Sequence, residues 1–79
     1  MKTLGQLKPG ESGVVLRSGS EDKRVKRRLV DMGITPGTEI TVRKVAPMGD
    51  PMEIRLRSYE LTLRMDDAAQ IEILPEVGA

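Results

Sequence analysis

Side chains able to do chemistry are few in this sequence, and their types narrow the chemistry open to it. It holds no histidine and no cysteine, the residues that most often serve as general base, nucleophile or soft metal ligand. The paired acids Asp66-Asp67 precede Ala68-Ala69 and read as a polar turn rather than an acid/base dyad. No Gly-rich loop ends in Lys-Ser or Lys-Thr, the pattern that cradles nucleotide phosphates. Asp50, Asp66, Asp67 and Glu76 offer hard oxygen ligands. Without imidazole or thiolate these hold a transition metal only weakly. The expectation is therefore no enzyme, no built metal site and no cofactor.

What remains is binding chemistry. Lys23, Arg24, Lys26, Arg27 and Arg28 crowd one short run, and on a helix they cover most of its solvent face. A simply solvated face ranks first among the readings. Docking on an acidic protein patch, with charge steering the encounter, ranks second. Nucleic acid ranks third, because single-strand stacking needs several aromatics and Tyr59 is the only one. The net charge of +1 also falls short of a typical nucleic-acid binder. The second candidate is the loop Pro47-Met48-Gly49-Asp50-Pro51, which has an apolar tip between two prolines. Met48 either folds back onto the domain, the reading placed slightly ahead, or stands out as a pre-shaped contact knob.

The elements that must position these residues follow from periodicity and turn chemistry. Val25, Leu29 and Met32 recur at the spacing of one helical face, so the basic run lies on a helix ending near Met32. Ser18 or Ser20 is placed to cap it, and Glu21 and Asp22 suit its positive end. Gly33 follows as a left-handed stop. Pro36-Gly37 is a tight turn feeding a strand in which Ile40 and Val42 alternate with polar residues. Pro9-Gly10 repeats that chemistry ahead of Gly13-Val14-Val15-Leu16. Thr3 to Leu7 reads as a short helical turn with Leu4 and Leu7 inward. A slip in alternation near Arg43-Lys44 predicts a bulge. Met52, Ile54 and Leu56 form one strand and Leu61, Leu63 and Met65 another, with a reversal at Ser58-Tyr59. Ile71 and Ile73 make the last strand, which Pro75 ends, and positions 75–79 are expected to fray. The pattern is mainly β. About five short strands and one inserted helix form a strongly bent sheet closing as a small barrel.

The chain of 79 residues makes one domain, 1–79, with an aliphatic core. It lacks disulfides, an apolar run of roughly 18 residues and the hydrophobic core of a signal peptide. The reading is a soluble, cytoplasmic protein.

The order TLxxLKPGExG, then RRLVDMGITPGTEITV, then APMGDPMEIRLRSYELTLRMDDAAQIEI closely resembles the bacterial ferrous iron transport protein A (FeoA) family. The likeness runs from Thr3 to about Leu74. The combination of pieces is specific where no single piece is. The resemblance implies an SH3-like β-barrel in the cytoplasm, accessory to a membrane ferrous iron permease that carries a cytosolic GTP-binding domain. The family often has glycine where this chain has Ser58, and serine tolerates positive φ poorly. The turn there is left open. Family members can carry histidine or cysteine able to hold metal, and this chain has neither. The expected partner-binding residues are Arg24, Arg27 and Arg28 of the helix with Met48, Gly49 and Asp50 of the loop. The alternatives are a nucleic-acid-binding barrel using the same helix and a weak transition-metal-binding module. An exposed edge strand leaves room for a weak homodimer.

Overall fold

The computed structural model describes residues 2–19 and 21–76. These described residues form six strands and two helices: β1 (Lys2–Thr3), β2 (Ser12–Ser18), α1 (Lys23–Asp31), β3 (Glu39–Val45), β4 (Met52–Leu56), β5 (Tyr59–Leu63), α2 (Met65–Ala68) and β6 (Ile71–Pro75). A 3-10 turn spans Leu4–Gln6, the helical turn expected near the start. The strands form one antiparallel sheet in the order β1-β6-β2-β3-β4-β5.

Two turns of the same kind set the path into β2 and β3. In each, the residue before proline accepts a hydrogen bond from the N–H three residues on, Glu11 to Lys8 at 2.9 Å and Thr38 to Thr35 at 3.0 Å. Proline takes the first central position and glycine the second, with φ of +90° at Gly10 and +91° at Gly37, as a type II turn requires. Each glycine N–H then donates across to a neighbouring strand, Gly10 to Val42 and Gly37 to Val15. The turns therefore lock the sheet as well as reverse the chain.

The core is aliphatic, as the composition demands. Leu4, Leu7, Val15, Leu29, Ile34, Ile40, Val42, Met52, Ile54, Leu56, Leu63, Ala68, Ile71 and Ile73 are buried, with Val25, Met32, Val45, Leu61 and Met65 packed against them. The predicted bulge is present, since the β3–β4 register shifts between Val42 and Lys44. That shift returns Val45 to the core side. A second irregularity, between Val15 and Arg17 on β2, leaves Leu16 facing outward.

Several expectations need correction. Ser18 does not cap α1. It lies within β2, paired with Ile71, and Ser20 is outside the described residues. The cap is Asp22, whose Oδ1 accepts from Arg24 N–H at 2.8 Å and adds a carboxylate to the positive helix end. Pro75 is the last residue of β6, as expected, but it does not fray. It pairs with Gly13, and Glu76 N–H donates to Ser12 C=O. Proline fits there because the donor to β2 comes from Glu76, so no ladder bond needs an N–H at position 75. Positions 77–79 lie outside the described residues. In the β4–β5 hairpin the positive φ of 55° falls on Arg57, not Ser58. Serine is thus spared the conformation it dislikes. Finally, a two-residue strand, β1, pairs with β6 and was not anticipated, because two residues carry no periodicity.

Candidate functional site

Helix α1 is held at both ends, which fixes the direction of its basic face. Asp22 caps the start. At the end, Gly33 takes φ of +87°, Gly33 N–H donates to Val30 C=O, and Ile34 N–H reaches back to Leu29 C=O. This is a full left-handed cap with the apolar pair Leu29 and Ile34 in the core. Tyr59 adds a tether from β5, its hydroxyl donating to Met32 C=O at 2.6 Å. Nothing in the sequence signals that contact, since the partners lie far apart along the chain and a tyrosine on a strand has no fixed reach.

With Leu29 buried and Val25 half-buried, Lys23, Arg24, Lys26 and Arg27 are turned to solvent. None of these four forms an ion pair among the described residues. Arg28 differs, because its guanidinium donates to the Asp67 carboxylate of α2. It serves partly as a strut between the helices. At about half exposure such a pair contributes at most about 1 kcal/mol.

The loop 47–51 carries the second group of predicted residues. Met48 is 93% exposed. It does not fold back onto the domain but stands out into solvent. Gly49 supports the tip with φ of +86° and donates its N–H to Ala46 C=O. Asp50 has a structural task that the sequence did not reveal. Its Oδ1 accepts from Met65 N–H at 3.0 Å and satisfies the start of α2.

Helix α2 therefore ties the two candidate pieces together, gripping α1 through Asp67 and the loop through Met65. A groove of about 510 Å³ runs between α1, β5 and α2, lined by Arg28, Met32, Thr62, Leu63, Arg64 and the two aspartates. A second, about 310 Å³, lies beside the loop and includes Val45, Pro47, Pro51, Met52 and Thr62. Thr62 lines both, so the two grooves meet at β5.

The candidate weak metal ligands do not converge. Among the described residues no group of three or more His, Cys, Asp or Glu is placed to hold a metal ion. Glu76 instead lies beside Glu39. A hydrogen bond to that carboxylate, then partial desolvation, then repulsion, raises its pKa above the ordinary glutamate range. No helix among the described residues is long and apolar enough to cross a membrane.

Comparison with known proteins agrees with this architecture. The FeoA domain family model matches residues 2–75. An Fe(2+) transport protein A/Fe(2+) transporter FeoB fusion protein of Porphyromonas gingivalis is 38% identical over 71 residues, 89% of this chain and 8% of that protein. This chain thus spans a small fraction of that relative's length. The NMR structure of a FeoA-like protein from Clostridium acetobutylicum superposes with a TM-score of 0.88 at 35% identity, covering 100% of this chain and 94% of the other. The zinc complex of Stenotrophomonas maltophilia FeoA, described as a procaryotic SH3 domain protein, shares the fold. Its TM-score is 0.79 at 24% identity, over 92% of this chain and 89% of that one. The six-stranded sheet is therefore an SH3-like barrel, and the chain belongs to the FeoA domain family, a family linked to ferrous iron transport.

Proposed function

We propose that this chain is a non-enzymatic cytoplasmic accessory of ferrous iron uptake, acting by direct contact with a membrane ferrous iron permease and its GTP-binding domain. The observation that carries this reading is the relative in which an FeoA segment and the FeoB transporter are one polypeptide. Fusion holds two modules at high effective concentration, which serves modules that work in contact. The surface described above fits such a role. Exposed cations on α1 speed encounter with an acidic face, and a solvent-exposed Met48 on a braced loop supplies a soft apolar contact with little ordering cost.

The test is a calorimetric or NMR titration of this protein with the cytosolic GTPase portion of the permease, with and without GTP. The expected result is saturable binding with shifts on α1 and on residues 47–51. Absence of binding in both nucleotide states overturns the proposed contact with that domain. Met48→Asp should weaken binding by about tenfold or more with unchanged thermal stability, because the side chain is almost wholly exposed in the free protein. Unchanged affinity removes the loop from the surface.

A further inference from the structure

Among the described residues the sheet ends at β5, which pairs with β4 and with no other strand. The two-residue loop 57–58 closes on the pair Leu56–Tyr59, so Tyr59, Leu61 and Leu63 exchange their backbone hydrogen bonds with β4. Glu60 and Thr62 then direct their N–H and C=O groups outward, and no backbone partner meets them among the described residues. Arg64 extends this edge with φ −69° and ψ 146°. Its C=O is already taken by the N–H groups of Asp67 and Ala68, and its own N–H is left to the edge. Glu60, Thr62 and Arg64 are all exposed. Two of the devices that normally blunt a free edge, proline and a bulge against the neighbouring strand, are absent from β5. The charges it does carry are of opposite sign, two residues either side of Thr62.

We propose that the free edge of β5 is a self-association surface, on which a second copy of this chain adds antiparallel about a two-fold axis at Thr62. In that register Thr62 faces Thr62 of the second copy and the two exchange N–H···O=C bonds. Arg64 N–H reaches Glu60 C=O of the second copy, and the symmetric bond forms in return. The same register sets each Glu60 carboxylate opposite an Arg64 guanidinium, and opposite charges facing across strands stabilise a sheet. A parallel, in-register arrangement sets Glu60 beside Glu60 and Arg64 beside Arg64. An axis one residue earlier, at Leu61, leaves Arg64 without its acid. Charge pattern and hydrogen-bond parity thus select one register, and a self-complementary patch is what a two-fold interface requires. The surface uses neither Met48 nor the cations of α1, so it does not rest on the permease reading.

Sedimentation equilibrium of the full chain from micromolar to millimolar concentration, at low salt, tests this. The expected result is a monomer–dimer equilibrium. Arg64→Glu places like charges opposite each other at two symmetric points and should raise the dimer dissociation constant about tenfold or more. Glu60→Arg should do the same, and combining the two restores the complementary pattern, with affinity within about threefold of the native chain. Glu60 also pairs with Arg43 at 3.2 Å within one copy, so Arg64→Glu is the cleaner single change. Thr62→Pro deletes the central outward donor while leaving the ladder to β4 intact, and should abolish the dimer in a chain that still folds by NMR. A protein that stays monomeric at millimolar concentration overturns the proposal. So does a dimer that is indifferent to Arg64→Glu and Thr62→Pro, or a double charge reversal that fails to recover affinity.

Discussion

Replacing Gly33 by alanine isolates the joint that orients the basic helix. Two costs arise from the geometry. An L side chain at φ of +87° costs about 1 kcal/mol. The new Cβ also falls against the Tyr59 hydroxyl, nearer than two such atoms can approach. The next atoms stand at 3.6 Å, an ordinary contact. The phenol must therefore move, and its hydrogen bond to Met32 C=O is lost, worth about 1 kcal/mol, together with some packing. Gly33→Ala should cost about 2–3 kcal/mol in all. A domain of this size holds about 4–12 kcal/mol of stability, so the midpoint temperature should fall by about 10–20 °C. Tyr59→Phe removes only the hydroxyl and should cost about 1 kcal/mol. In that background the clash has gone, and Gly33→Ala should add only its backbone cost of about 1 kcal/mol. The double variant should then lie about 2 kcal/mol below the native protein, where simple addition gives about 3–4 kcal/mol. Urea denaturation followed by far-UV circular dichroism measures all four corners of the cycle. Losses that add to within about 0.5 kcal/mol would refute the claim that Tyr59 and Gly33 form one coupled joint.

Three further outcomes follow from other joints. Asp50→Ala removes the acceptor for Met65 N–H and should cost about 1 kcal/mol, lowering the thermal midpoint by about 4–8 °C; no shift means that α2 does not depend on the loop. Arg57→Gly relieves the left-handed residue of the β4–β5 turn and should stabilise by about 0.5–1 kcal/mol in the same assay, while destabilisation would show that the Arg57 side chain outweighs its backbone strain. The third concerns pH. Glu76 binds its proton more tightly in the folded chain than in the unfolded one. Its contribution is fully present below the unfolded glutamate pKa and is lost as pH rises through the raised folded value. Glu76→Gln should flatten that part of the stability–pH curve, and an unaltered slope would show that Glu39 and Glu76 do not interact.

Much of the fold was legible because its signals are local. Pro9-Gly10, Pro36-Gly37 and Gly33 each demand a dihedral that few residues supply, and the structure places each where the turn or cap requires it. The alternation through Met52, Ile54 and Leu56 and the spacing of Val25, Leu29 and Met32 state which face is buried, since burial follows the period of the element. The bulge after Val42 was readable for the same reason. The candidate residues of α1 and of loop 47–51 were found as types, basic and apolar. The family resemblance supplied the setting.

Local signals thus set the longer strands, the basic helix, the aliphatic core and the residues left over for contact, but not β1 or α2. Which of them are tied up inside the fold depends on the folded chain. Arg28 meets Asp67, Asp50 meets Met65, and Tyr59 meets Met32 only after the strands have paired, across separations that carry no periodic signal. The sheet order that makes β5 an open edge, and the left-handed turn residue at Arg57 rather than Ser58, likewise depend on strand pairing. Dihedral preference and hydrophobic period act over a few neighbouring residues, whereas pairing partners and exposed edges are properties of the folded sheet as a whole.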